Sequence, residues 1–134
     1  MTWQPHGVLD DRLLDDILAW VFAVEKVSRP FDRFIDFGHL ARVSIQIGHV
    51  FTIARERAEG FAGVSPIKSA FFSDEVVGFG IARLYEALME NTLIQARAFR
   101  DLSAVAEWLA VPVEILKLED APPPPAKERL PNST

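Results

Sequence analysis

Two hydrophobic periodicities alternate along this chain of 134 residues, and the alternation limits the folds available to it. Segments with apolar residues at helical spacing are separated by short apolar or aromatic runs that are typical of strands. Helices that alternate with strands at these lengths require right-handed crossovers between parallel strands. The sequence therefore predicts an α/β sandwich with a largely parallel sheet of about four to five strands, covered by about four helices.

The bounds of the elements follow from the residues that can begin or end them. Ser44 and Ser73 are expected to be the N-caps of the second and third helices. Arg29-Pro30, Gly60 and Asn91 are placed to end helices. The predicted elements, in chain order, are a small strand near 2–6, a helix from Asp10 to 29–30, a strand over 31–37, a helix over 44–58, a strand over 66–72, a helix between Ser73 and Asn91, a strand over 93–99, a short helix capped by Asp101 or Ser103, and an edge strand or extended arm over 113–116.

The second helix combines an apolar stripe with a charged end. Its expected inward residues are Ile47, Val50, Phe51 and Ala54. The run Arg55-Glu56-Arg57 is expected to face solvent, since a charge run at a helix end is typical of a solvated surface. These arginines are therefore not among the candidate site residues.

Composition changes near residue 118. Five of the nine prolines lie beyond residue 121, four of them consecutive at 122–125. Such a run favours polyproline II, and the polar residues after it carry too little apolar surface to order themselves. We expect an α/β domain over residues 1–118 and a proline-rich extended tail over 119–134, either solvated or docked on a partner.

Charge and composition exclude several function classes. The chain has no cysteine, which excludes disulfides, thiolate nucleophiles, zinc fingers and iron–sulfur clusters. A net charge of −5 argues against binding to nucleic acid or anionic lipid. No apolar run is long enough to span a bilayer, and the first residues lack the features of a signal peptide. We expect a cytoplasmic protein without membrane insertion.

Four segments carry a resemblance to a known family. They are Gly7-Val8-Leu9, Phe34-Ile35-Asp36-Phe37-Gly38, and the stretches 78–85 and 98–109, of which the last two are the most specific. Through them, the region from Arg29 to Leu109 resembles the bacterial STAS-type, SpoIIAA-like family, whose small stand-alone members are also likened to the CRAL-TRIO lipid-binding fold. The resemblance implies a STAS/SpoIIAA-like sandwich and a non-enzymatic module that acts by binding partners.

The family resemblance also implies a regulatory serine. In the best-known branch the partners are a serine kinase and an anti-sigma factor, and phosphorylation of a serine at a helix start switches the affinity. That serine lies in an Asp-Ser-Ser-Gly motif after the second core strand. The matching region here is 40–48, where Ser44 is the only hydroxyl and the aspartate and adjacent glycine are absent. Ser44 is either this regulatory site or an ordinary N-cap, which contributes about 1 kcal/mol.

Other residues are candidate partner- or ligand-binding positions. Asp36 lies on the central strand, and His39 follows it, where ligands of open α/β sheets gather. His39 is otherwise an ordinary loop histidine. Gly78-Phe79-Gly80 lies within a helical pattern, where glycines allow close helix packing or a backbone open to a partner or an apolar ligand. Arg83, on the same helix, lies in a charged stripe that is typical of a solvated face.

Metal sites and catalytic groups have no complete pattern in the sequence. Asp11 and Asp15 lie one helical turn apart and would suit magnesium, but no phosphate-binding glycine loop accompanies them, and a solvated acidic face also explains them. The three histidines lack the spacing of zinc ligands, and no serine, histidine and acid form a nucleophile motif. We expect no metal, no cofactor and no enzymatic activity.

Two functions are consistent with these observations. The first is a regulatory protein-interaction module that resembles anti-sigma-factor antagonists, forms a homodimer and is switched at Ser44, with its interaction surface over 38–44 and the second helix. The alternative is a binding protein for an apolar small molecule or lipid. The alternative depends on the phenylalanines near the strand ends and on the glycine-containing third helix.

Overall fold

The computed structural model describes residues 1–27, 31–61, 63 and 65–117. The expected tail over 119–134 lies outside the described residues. The elements in chain order are β1 (Thr2–Trp3), β2 (Gly7–Asp10), α1 (Asp11–Val27), β3 (Arg33–Asp36), a 3-10 turn (Phe37–His39), β4 (Leu40–Ser44), α2 (Ile47–Gly60), β5 (Ile67–Phe72), α3 (Val76–Leu88), β6 (Ile94–Phe99), α4 (Leu102–Leu109) and α5 (Val113–Leu116).

Four parallel strands form the main sheet in the order β1-β3-β5-β6. Each strand is added on the same side of the one before it, so right-handed crossovers place α1, α2 and α3 on one face. The two helices that follow β6, α4 and α5, cover the other face. β2 and β4 form a separate parallel pair. The prediction of an α/β sandwich with a largely parallel sheet is confirmed.

The strands alternate their side chains between two apolar layers. On β5, Ile67 packs against Ala54 of α2. The next residue, Lys68, donates from Nζ to the carbonyl of Trp108 in α4 at 2.7 Å. Ala70 packs with Val105 in the same α4 layer. We call the side of the sheet beneath α1, α2 and α3 the three-helix face, and it holds the candidate site.

Two helix starts differ from the predictions. Ser44 ends β4, and α2 begins at Ile47 with Gln46 as its N-cap. Residues 40–44 are a strand because they pair with β2, a long-range contact that local pattern does not show. Glu75, not Ser73, caps α3, since its carboxylate accepts from the N–H groups of Val77 and Gly78.

The buried stripe of α2 also differs from the prediction. It consists of Val50, Ile53, Ala54 and Arg57. Ile47 and Phe51 were expected inward, yet their exposed fractions are 56% and 51%. Phe51 follows Val50 by one position, or about 100° around the helix axis, and so turns away from the stripe.

Residues 113–116 form the helix α5 instead of an edge strand or arm. Leu116 of α5 is buried beside Val105 in the layer under α4. Pro112 precedes the first turn, where the fixed φ of proline suits a helix start. The start of α4 was predicted correctly, since Asp101 accepts from the N–H of Ser103 at 3.2 Å.

Candidate functional site

A cavity lies between the three-helix face of the sheet and α1, α2 and α3. Its volume, taken as the space open to the centre of a water molecule, is about 90 Å³, which is room for several waters. Its lining consists of the apolar residues Trp3, Pro5, Leu9, Leu14, Ile17, Leu18, Val21, Ile35, Phe37, Ile45, Val50, Ile53, Phe71, Ile81, Ala82 and Ile94, and of the polar residues Arg33, Arg57, Ser69 and Tyr85. The wall is therefore apolar except at a few points.

The periodicities of the elements explain why polar residues reach this wall. On α2, Arg57 continues the buried stripe of Val50 and Ile53. On β3, Arg33 lies two residues before Ile35 and so faces the same side of the sheet. In the register of the sheet, Arg33 is paired with Ser69 of β5, which brings their side chains next to each other.

The two arginines of the wall share one carboxylate, that of Glu25 near the end of α1. Arg57 donates from Nη1 to Oε1 at 3.0 Å and from Nη2 to Oε2 at 2.9 Å. Nη2 of Arg33 lies 2.8 Å from Oε2, in a geometry too bent for a hydrogen bond. The side chains of Arg33, Glu25 and Arg57 are only 5%, 6% and 3% exposed. We call these three residues the buried triad.

The protonation states leave the buried triad with an excess positive charge. Burial raises the pKa of Glu25, but the hydrogen bonds from Arg57 and the positive charges of Arg57 and Arg33 outweigh it, and the pKa is lowered overall. Burial lowers the pKa of Arg33, although a guanidinium in a protein stays protonated. Burial opposes the charge on Arg57, but Glu25 and Tyr85 raise its pKa. Burial raises the pKa of Tyr85, so its phenol is neutral at pH 7. Two cations thus face one anion.

Three buried side-chain nitrogens of the lining residues have no hydrogen-bond acceptor among the described residues. They are Nε and Nη2 of Arg33 and the indole Nε1 of Trp3, of which Nη2 keeps an ion-pair contact with Glu25. A buried donor without an acceptor loses its hydration and gains nothing in return, at a cost of roughly 1–3 kcal/mol. Both Arg33 and Trp3 are lining residues of the cavity.

The residues predicted at the strand ends lie outside the cavity lining. Ser44 is exposed at the end of β4, where it pairs with Asp10 of β2. Asp36 is buried; its Oδ1 accepts from the N–H of Gly38 at 2.8 Å, and its Oδ2 lies 3.2 Å from Nε2 of His39. The His39 ring also lies against the ring of His6. These contacts bring Asp36 and His39 together but place Ser44 apart from them.

The predicted residues of α3 also lie outside the cavity lining. Gly78 allows close packing, since a Cβ there would lie 2.6 Å from Oγ of Ser73. Gly80 has nothing within 4 Å of such a Cβ and so is open. The Phe79 ring lies under the guanidinium of Arg100, and Arg83 is exposed with Nε 3.9 Å from Glu86. Binding of an apolar small molecule was predicted partly from phenylalanines near the strand ends. Two of these, Phe37 and Phe71, line the cavity.

The buried triad was missed by the sequence analysis. Arg57 was expected to face solvent but is 2% exposed, so that prediction was wrong. A signal was present: Glu25 follows Ile17 and Val21 in steps of four residues, and Arg57 follows Ile53 in the same way. A charged residue in register with a buried stripe is the pattern that indicates a buried ion.

The acidic residues at the start of α1 are occupied by contacts within the protein. Oδ1 of Asp10 accepts from the N–H of Leu13, and Oδ1 of Asp11 accepts from the N–H of Gln46. Oδ1 of Asp15 lies 2.7 Å from Nε2 of His49 on α2. Among the described residues, no three histidine or acidic side chains are grouped so that they could hold a metal ion.

No family model matches the sequence, and neither a curated protein nor a solved structure matches it. In the described part of the chain, no helix combines the length and apolar character needed to cross a membrane. The cavity and the buried triad are therefore the features from which a function is best proposed.

Proposed function

We propose that this protein binds an apolar small molecule in the cavity between the sheet and α1, α2 and α3. The observation that carries the proposal is the size and apolar lining of that cavity. Protein interiors are close-packed, so an apolar space of about 90 Å³ between the sheet and three helices gives room for a ligand. Ligand sites are typically concave and apolar, with a few placed polar groups, and this wall fits that description.

The apolar wall of the cavity supports the same proposal. Apolar atoms that face an unfilled space lack dispersion partners on that side. An apolar occupant restores the missing dispersion contacts. The described residues of the wall include no carboxylate or imidazole to act as a general base, so we propose binding without a reaction.

The fluorescence of Trp3 provides a direct test, because Trp3 lines the cavity. The chain has three tryptophans, so a variant with Trp20→Phe and Trp108→Phe leaves Trp3 as the only indole. We expect its emission to change with octanol concentration and to saturate at one molecule per chain. A change that stays linear, or no change, would contradict the proposal.

A matched pair of substitutions on α3 locates the binding. Ala82 lines the cavity and is 2% exposed, so Ala82→Leu fills part of the space. Ala87 is exposed on the same helix, so Ala87→Leu adds the same atoms outside. We expect the first change, made in the single-tryptophan variant, to weaken octanol binding at least about tenfold and the second to leave it unchanged. Equal effects would place the binding elsewhere.

We also propose the protein-interaction function, because the starts of α2 and α3 expose large apolar side chains. The exposed fractions are 56% for Ile47, 51% for Phe51, 72% for Val76 and 51% for Val77. Exposed apolar groups of this kind are typical of interaction surfaces. Ser44 lies just before α2, in keeping with the proposed regulation by phosphorylation in the cytoplasm.

Sedimentation velocity tests the interaction function and the homodimer together. We expect the wild-type chain to sediment as a dimer, Phe51→Ser to shift it toward monomer, and Ser44→Asp to change the dimer dissociation constant. Glu107→Ser, an exposed change on α4 at the opposite face of the sheet, is the control. A wild-type chain that is monomeric at every concentration would argue against the homodimer.

A further inference from the structure

We infer that the occupant of the cavity is an amphipathic monocarboxylic acid whose carboxylate lies against Arg33. The inference rests on the proposed binding of an apolar molecule and adds the chemical class of its head group. It is carried by the charge of the buried triad and by the three buried donors that lack an acceptor.

The charge balance of the cavity wall requires an anion. Both oxygens of Glu25 accept from Arg57, so Glu25 cannot also neutralise Arg33 fully. The described residues of the wall include no carboxylate, so no other wall residue supplies the second negative charge. Burying a net charge is costly, and a ligand carboxylate against Arg33 would balance the charge that Glu25 leaves over.

The hydrogen-bonding groups point to the same head group. All three buried nitrogens without an acceptor, Nε and Nη2 of Arg33 and Nε1 of Trp3, are donors. Trp3 is paired in the sheet with Ile35, two residues after Arg33, so both side chains belong to the three-helix face. A carboxylate brings two acceptor oxygens, whereas an ammonium group brings only donors and a further positive charge.

The number of charges selects a monoanion. One carboxylate balances the single excess positive charge of the buried triad. A phosphate monoester carries a charge of about −1.5 to −2 at pH 7 and would leave a buried negative excess. The rest of the wall is apolar and suits a hydrocarbon tail.

Isothermal titration calorimetry with matched head groups tests the inference on the wild-type full chain at pH 7. The probes are octanoate, octanol and octylamine, repeated with the hexyl and decyl series to cover tail length. We expect the acid to bind at least about tenfold more tightly than the alcohol of the same length, since charge-assisted hydrogen bonds are the strong ones. We expect the amine to bind most weakly.

Two arginine variants assign the preference to Arg33. Arg33→Met leaves the Arg57–Glu25 pair in place and removes the excess charge. We expect it to lose the preference for the acid while it still binds the alcohol. Arg83→Met, on the exposed side of α3, should keep the wild-type preference. Arg33→Gln serves the same purpose if the methionine variant does not fold.

The outcomes separate the inference from the proposed function. Equal binding of acid and alcohol by the wild-type chain would contradict the inference that the ligand has a carboxylate. It would still support binding of an apolar molecule in the cavity. An acid preference that survives Arg33→Met would overturn the assignment to Arg33. If no probe of any length binds, both the inference and the proposed function fail.

Discussion

Glu25 is the only carboxylate that contacts either arginine of the buried triad, among the contacts that the described residues show. We expect Glu25→Gln to lower the free energy of unfolding by about 3–5 kcal/mol, because it leaves two buried guanidiniums without a counter-ion. We expect Arg33→Met to have little effect or to stabilise the fold, because the Arg57–Glu25 pair remains intact. Urea unfolding at pH 7, followed by circular dichroism, measures both.

The control for this pair is Arg83→Met, which removes an exposed guanidinium and should change stability by less than about 0.5 kcal/mol. Equal losses in Glu25→Gln and Arg33→Met would mean that Arg33 is a needed partner of the carboxylate. The buried triad would then carry no surplus cation.

The titration of Glu25 gives stability a pH dependence of known sign. Its pKa is lower in the folded protein than its ordinary value of 4.5, because the two arginines stabilise the carboxylate. Its contribution is therefore present above about pH 4.5 and is lost as the pH falls through the folded pKa. We expect urea unfolding across pH 3–7 to show a smaller acid loss in Glu25→Gln than in the wild type. Parallel curves would contradict the lowered pKa.

At the scale of the element, the two glycines of α3 have opposite roles. Gly80 faces open space, so Gly80→Ala should raise the free energy of unfolding by about 1 kcal/mol through helix propensity. Gly78→Ala should lower it, because its Cβ would meet Oγ of Ser73 at 2.6 Å. Ser73 is 1% exposed, and its hydroxyl is hydrogen-bonded to the backbone of Glu75.

A double variant tests whether that hydroxyl is the obstacle. Ser73→Ala combined with Gly78→Ala removes the closest atom, so part of the loss caused by Gly78→Ala should be recovered relative to Ser73→Ala alone. Urea unfolding measures all four proteins. A gain of stability in Gly78→Ala itself would show that α3 shifts at no cost.

At the scale of the whole molecule, ligand binding and folding are coupled, because the cavity forms only when the sheet and three helices are packed together. At a free octanoate concentration of about 100 Kd, we expect the free energy of unfolding to rise by about 2.7 kcal/mol. Thermal unfolding with and without octanoate measures this rise. Ala82→Leu should show a much smaller rise, and an equal rise there would place binding outside the cavity.

Local pattern predicted most elements of the fold but few features of the site. The order of helices and strands was predicted because each periodicity is visible within a short window of the sequence. β4 was missed, and its last residue, Ser44, was assigned to the second helix, since its pairing partner, β2, lies far away in the chain. Asp36 and His39 were predicted as binding positions; they contact each other, yet neither lines the cavity.

The sequence by itself determined the alternation of helices and strands, and hence the α/β class, because side-chain direction repeats with backbone periods that involve only near neighbours. It also determined that Arg57 and Glu25 continue apolar stripes. Only the tertiary structure decided that these two residues, 32 positions apart, contact each other and that the Glu25 carboxylate also contacts Arg33. Whether a charged residue on a buried stripe can stay ionised depends on the partner that packs against it. That partner is distant in the chain, so local sequence pattern does not predict it.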